Sequence, residues 1–84
     1  MGELPSIHQL ECLIIYGRVR NFSLAAKEAN ITQSAFSVQM KKLEEAVGVT
    51  LIRRSTRGSD LTEAGTVFLE KAQLCVEQLR DAVA

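Results

Sequence analysis

Cysteine and histidine are scarce in this 84-residue chain, which has only Cys12, Cys75 and His8. No Cys-x-x-Cys pair occurs, and so few ligands do not build a structural zinc site. Both cysteines lie in apolar-periodic segments, which predicts buried free thiols rather than a disulfide. Only five glycines occur, and none forms a glycine-rich phosphate loop. No nucleophile stands in a catalytic arrangement with the single histidine, so neither enzyme chemistry nor a metal or cofactor is expected in these residues. The longest unbroken apolar run, Cys12 to Tyr16, is far too short for a bilayer. The N-terminus lacks the basic, apolar and small-residue regions of a secretory leader. The expectation is a soluble cytoplasmic protein with no membrane partner.

A surplus of either charge is also missing. The formal net charge is zero, which taken alone argues against a polyanionic partner. Its distribution argues the opposite. Between Arg18 and Arg57 stand eight basic residues (Arg18, Arg20, Lys27, Lys41, Lys42, Arg53, Arg54, Arg57) and three acidic ones (Glu28, Glu44, Glu45), a net +5. Local fields, not chain totals, steer phosphate binding. A hydrophobic content of 46% excludes disorder by composition, and the length fits one small domain with a marginal core.

Ser6 after Pro5 reads as a helix cap, with Ile7, Leu10, Leu13 and Ile14 recurring on one face and Gly17 as the expected end. Phe22 reads as the apolar residue ahead of a second cap, Ser23, which opens a short helix to about Ala29. Its Ala25, Ala26 and Ala29 allow a close helix crossing. Asn30 suits the left-handed turn. Thr32 caps a third helix with Phe36, Met40, Leu43 and Val47 on its buried face, ended by Gly48. Val49–Arg53 and Asp60–Thr62 read as two short strands around the turn-like Ser55–Ser59. A long helix follows from about Glu63 to Ala82. Its apolar rows are Phe68, Ala72, Cys75, Leu79 and Ala82, then Leu69, Val76 and Val83. The domain before it reads as complete, so this face implies a partner helix.

The expected fold is mostly α: a winged helix-turn-helix of three helices and a short β-hairpin over residues 1–61, then a linker or dimerisation helix over 62–84. The second helix of such a unit enters the DNA major groove. The outward face of the third helix carries Thr32, Gln33, Ser34, Ser37, Lys41 and Lys42, with Ala35 and Val38 among them. The plain alternative is a solvated surface. It is disfavoured by the combination of that face with an alanine-rich preceding helix, an Asn turn and a basic hairpin. Gln33 and Ser34 sit at the helix N-terminus, which also favours a phosphate. Gln reads adenine bidentately, and Ser37 reaches a base or a phosphate. Lys41 and Lys42 suit phosphate, alongside pairing with Glu44 and Glu45. Val38 has two readings: contact with a thymine methyl, or no role. Arg54 and Arg57 suit backbone or minor-groove contact, with Arg53 the least favoured of the three because it can face away.

These residues resemble the N-terminal domain of LysR-type transcriptional regulators from about His8 to Ala72. The matching segments are Leu10, Asn21-Phe22-Ser23, Ala25-Ala26, Thr32 to Met40, Leu43-Glu44-Glu45, Val47-Gly48, Leu51 to Arg54, Arg57-Gly58 and Leu61 to Gly65. The resemblance implies a bacterial regulator that binds double-stranded DNA as a homodimer through its linker helix. Phe68, Leu69, Ala72, Cys75, Val76, Leu79 and Val83 are the expected dimerisation residues. Dimer and tetramer both stay open for the intact protein. The resemblance also implies a larger C-terminal domain, outside this sequence, that senses a small effector. On the DNA side it carries roles over to Gln33, Ser34, Ser37, Lys41, Arg54 and Arg57, and Ser23 joins them as a candidate. Ser34 stands where the family usually has proline, Val38 where it often has arginine, and Ile52 where it has phenylalanine.

Overall fold

Ser6 opens the first helix, α1 (Ile7–Val19), as expected. Its hydroxyl accepts from the Gln9 amide at 3.1 Å, and the Gln9 side chain accepts in return from the Ser6 amide. Two orphan donors are thus satisfied together. The computed structural model describes residues 4–84. Their order is α1, α2 (Phe22–Glu28), α3 (Gln33–Val47), β1 (Ile52–Ser55), β2 (Gly58–Leu61) and α4 (Glu63–Val83). This is the expected winged helix-turn-helix with a long C-terminal helix.

Helix α1 runs past the expected stop at Gly17. The left-handed cap is Arg20, at φ 54°, whose Nε donates to the Gly17 carbonyl at 2.9 Å. Gly17 serves packing instead. A Cβ there would lie 2.5 Å from Leu69 Cδ2, so the Leu69 side chain of α4 packs directly over the bare backbone of α1.

The second cap also differs from expectation. Asn21, not Ser23, caps α2 by accepting from the Leu24 amide at 2.9 Å. Asn caps as well as Ser does, and this register makes Phe22 the first helical residue, with its ring in the core. Phe22 sits edge-on between Tyr16 and Phe36, with ring centroids 5.3 and 5.4 Å apart, a geometry that adds to simple burial. Asn30 takes the left-handed turn at φ 60°. Thr32 accepts from the Ala35 amide at 3.0 Å, and Gly48 ends α3 in the left-handed region. Phe36, Met40 and Leu43 are buried, whereas Val47 is half-buried.

The wing strands pair antiparallel, with Ile52 opposite Leu61 and Ser55 opposite Gly58. They begin later than the sequence suggests because Glu44 uses the earlier amides. Its carboxylate accepts from Leu51 N at 2.7 Å and Ile52 N at 3.0 Å. Thr62 hydroxyl and amide then donate to the Thr50 and Leu51 carbonyls. Residues 50–51 therefore anchor the hairpin to α3 and to the start of α4.

Helix α4 is part of the core, which corrects the expectation of a domain complete without it. Ala72 and Val76 are buried, and Phe68 and Leu69 pack against the same cluster. At its first turn, a Cβ on Gly65 would lie 2.0 Å from the Leu51 carbonyl oxygen. No side chain fits there. The division expected at residue 61 is therefore not a break in the packing.

Candidate nucleic-acid interface

One surface collects the N-terminal half of α3, the first turn of α2 and the inner face of the wing. The caps position it. Because Asn21 caps α2, Ser23 is free to point outward, and its hydroxyl donates to Gln33 Oε1 at 2.7 Å. Gln33, the first residue of α3, is thus held from the neighbouring helix, with its amide nitrogen left to serve as a donor. A guanine O6 or N7, an adenine N7, a thymine O4 or a phosphate would accept from it. Ser34 is exposed on the same first turn, where free backbone amides point outward.

Arg54 ties the wing to α3. Its guanidinium donates to Ser37 Oγ at 2.6 Å and lies 3.9 Å over the Phe22 ring. A cation stacked on a ring and bonded to a hydroxyl is oriented before any ligand arrives. Strand alternation explains why this arginine was chosen. Ile52 and Arg54 share the inner face of β1, and Arg53 takes the outer one. Arg53 and Arg57 are exposed, so Arg57 extends the basic surface at the tip while Arg53 faces away from the α3 side.

Lys41 and Lys42 are exposed one turn further along α3. The expected pairing with Glu44 and Glu45 does not form among the described residues, where the ion pairs are Arg18–Glu28, Arg20–Asp60 and Arg80–Glu11. Glu44 is committed to the hairpin amides, which leaves both lysines for solvent or a polyanion. Thr32 is spent on its cap. Ala35 is half-buried, and Val38 is 50% exposed.

Two contributors went unrecognised in the sequence. Arg20 donates to Asp60 Oδ1 at 2.8 Å, and Tyr16 OH lies 2.7 Å from Ser59 Oγ. Both fix β2 to the end of α1. A groove of about 280 Å³ opens beside them, lined by Arg20, Ser23, Gln33, Arg54, Gly58 and Ser59. The basic Arg18-x-Arg20 spacing was visible, but not its contact with residue 60.

The expected dimer face divides in two. Ala72 and Val76 are buried in the core of their own chain and are not free for a partner, whereas Phe68 and Leu69 pack against that core and stay half-exposed. Cys75, Leu79 and Val83 are exposed, and so are Leu74 and Val67. Cys75 departs from the buried-thiol expectation, being exposed on α4. Cys12 is buried, and that burial, with Glu11 nearby, raises its thiol pKa. Arg18 holds the Glu28 carboxyl below its ordinary value, chiefly by a side-chain hydrogen bond.

The sequence model described as "Bacterial regulatory helix-turn-helix protein, lysR family" matches residues 7–66. The chain belongs to the LysR family. Among LysR-family relatives, the HTH-type transcriptional regulator BudR of Klebsiella aerogenes is 47% identical over 66 residues, covering 79% of this chain and 46% of that protein. AlsR of Bacillus subtilis is 36% identical over 77 residues, covering 92% of this chain and 26% of that protein. The chain thus spans less than half the length of these regulators. The CbnR DNA-binding domain, solved in complex with DNA, superposes with a TM-score of 0.87 at 36% identity, covering 92% of this chain and 88% of that one. DarR of Vibrio fischeri, also solved with DNA, gives 0.89 at 35% identity, covering 93% of this chain and 27% of that one. No helix among the described residues is long and apolar enough to cross a membrane.

Proposed function

We propose that this chain is the DNA-binding domain of a bacterial transcriptional regulator in the cytoplasm. It binds double-stranded DNA sequence-specifically, as a homodimer on an interrupted palindrome. Each α3 enters a major groove, and each wing lies on flanking backbone or minor groove. The observation that carries this reading is the pair of contacts holding the outward face of α3. Ser23 orients Gln33, and Arg54 orients Ser37. Side chains held ready from neighbouring elements suit recognition, because less entropy is lost on binding. The exposed Leu79 and Val83, which continue the stripe of Ala72 and Val76 along α4, suit the dimer contact, and a small-molecule effector would act through a further domain of the intact protein.

The test is a fluorescence-anisotropy titration of an interrupted palindrome and a scrambled duplex at several salt concentrations. Tighter binding to the palindrome, with affinity for both falling steeply as salt rises, is the expected result. No binding to either at low salt would overturn the proposal.

A further inference from the structure

We infer that Val38 is a specificity residue of this interface, reading the 5-methyl group of a thymine in the major groove by apolar contact. The inference rests on the DNA-binding reading above and adds a base to it.

Val38 is the one large apolar side chain on the outward face of α3, at 50% exposure. Neighbours three and four residues away share a helix face. Those of Val38 are Ser34, Lys41 and Lys42, all exposed, and the half-buried Ala35. It therefore stands in the middle of a polar, basic surface, not at the edge of the core. Valine is also a poor choice for a merely solvated helix position, where a straight-chain residue is favoured by a few tenths of a kcal/mol. What valine offers is shape. Branching at Cβ leaves one dominant rotamer in a helix, so two methyl groups are presented in a fixed direction with little entropy to lose.

The surroundings extend the apolar character inward. Val38 borders a notch of about 340 Å³ between α3 and β1, whose other apolar walls are Phe22, Met40 and Ile52 and whose polar lining is Ser37, Lys41, Arg54 and Glu44, the last already bonded to the hairpin amides. An apolar bed with a polar rim matches one feature of the major groove. Thymine alone among the four bases presents a methyl there, next to the O4 acceptor. The valine has no hydrogen-bonding group with which to choose any other base.

The experiment uses the 84-residue chain and a duplex library with a randomised core. Selected duplexes are then remade with single thymines replaced by uracil, which removes only the methyl. The expected result is one thymine per half-site whose replacement weakens wild-type binding roughly four-fold, the scale of one buried methyl group. In Val38→Ser, the same replacement should have no effect. If every uracil replacement is neutral in the wild type, or if the loss persists in the variant, the thymine reading is overturned while DNA binding stands. If the library yields no enriched sequence at all, sequence-specific binding falls and this inference with it.

Discussion

Helices α3 and α4 are built alike on the inside and differ on the outside. Each lays a stripe of apolar residues on α1 and the core: Phe36, Met40 and Leu43 from one, Ala72 and Val76 from the other. Outward, α3 shows Gln33, Ser34, Ser37, Lys41 and Lys42, two of them held by bonds from other elements. Beyond the core, α4 carries its own stripe on into the exposed Leu79 and Val83, while Val67 and Leu74 are exposed on the other side of the helix. Burial of a common stripe tells nothing about function. The exposed side separates a surface suited to a polyanion from one suited to another apolar helix.

The largest effect is expected in the buried stripe that both helices share. Phe36→Ala should destabilise the fold by about 3–5 kcal/mol in urea denaturation, because the ring is fully buried between helices. A loss under 1 kcal/mol would mean that the aromatic cluster is not the core. Next comes the outside of α3. Gln33→Ala should cost about 1–3 kcal/mol on the preferred sequence and relax specificity. Equal losses on preferred and scrambled DNA would refute base reading by Gln33.

The exposed end of α4 gives the complementary result. Leu79→Glu should leave monomer stability within about 0.5 kcal/mol while weakening self-association at least ten-fold, or about 1.4 kcal/mol, in sedimentation equilibrium. An unchanged association constant would remove Leu79 from the dimer contact. Lys42→Ala should weaken binding to all sequences alike and lower the slope of log affinity against log salt by about 1.

The smallest effect concerns the scaffold behind both helices. The Glu28 carboxyl is held below its ordinary value, first by the hydrogen bond from Arg18. A lowered folded-state pKa adds stability above the unfolded value, and that stability is lost as pH falls through the folded one. The Tm advantage of wild type over Glu28→Gln should therefore be present at neutral pH and vanish in acid. Because the pair is exposed, the advantage should be slight, and one that grew toward low pH would contradict the assignment.

Much of this was legible in the residues. Ser6, Thr32 and Gly48 act locally, through their own hydroxyls or backbone angles, so their roles followed from sequence. The left-handed Asn30 followed for the same reason. The Asn21 cap did not, because two adequate capping residues stand within three positions and the burial of Phe22 decides between them. At the interface, the polar face of α3 was visible from helical spacing. The bonds from Ser23 and Arg54 were not, since they span ten and seventeen residues.

The helix periods, three of the caps, the turn, the basic middle and the polar outward face are written into the residue order, because each depends on neighbours within a turn or two. Chain packing alone shows that α4 completes the core, that Gly17 and Gly65 are contact points, and that Arg54 braces Ser37. Those depend on which distant surfaces meet, and an apolar stripe is equally satisfied by its own chain or by a partner until the packing is known.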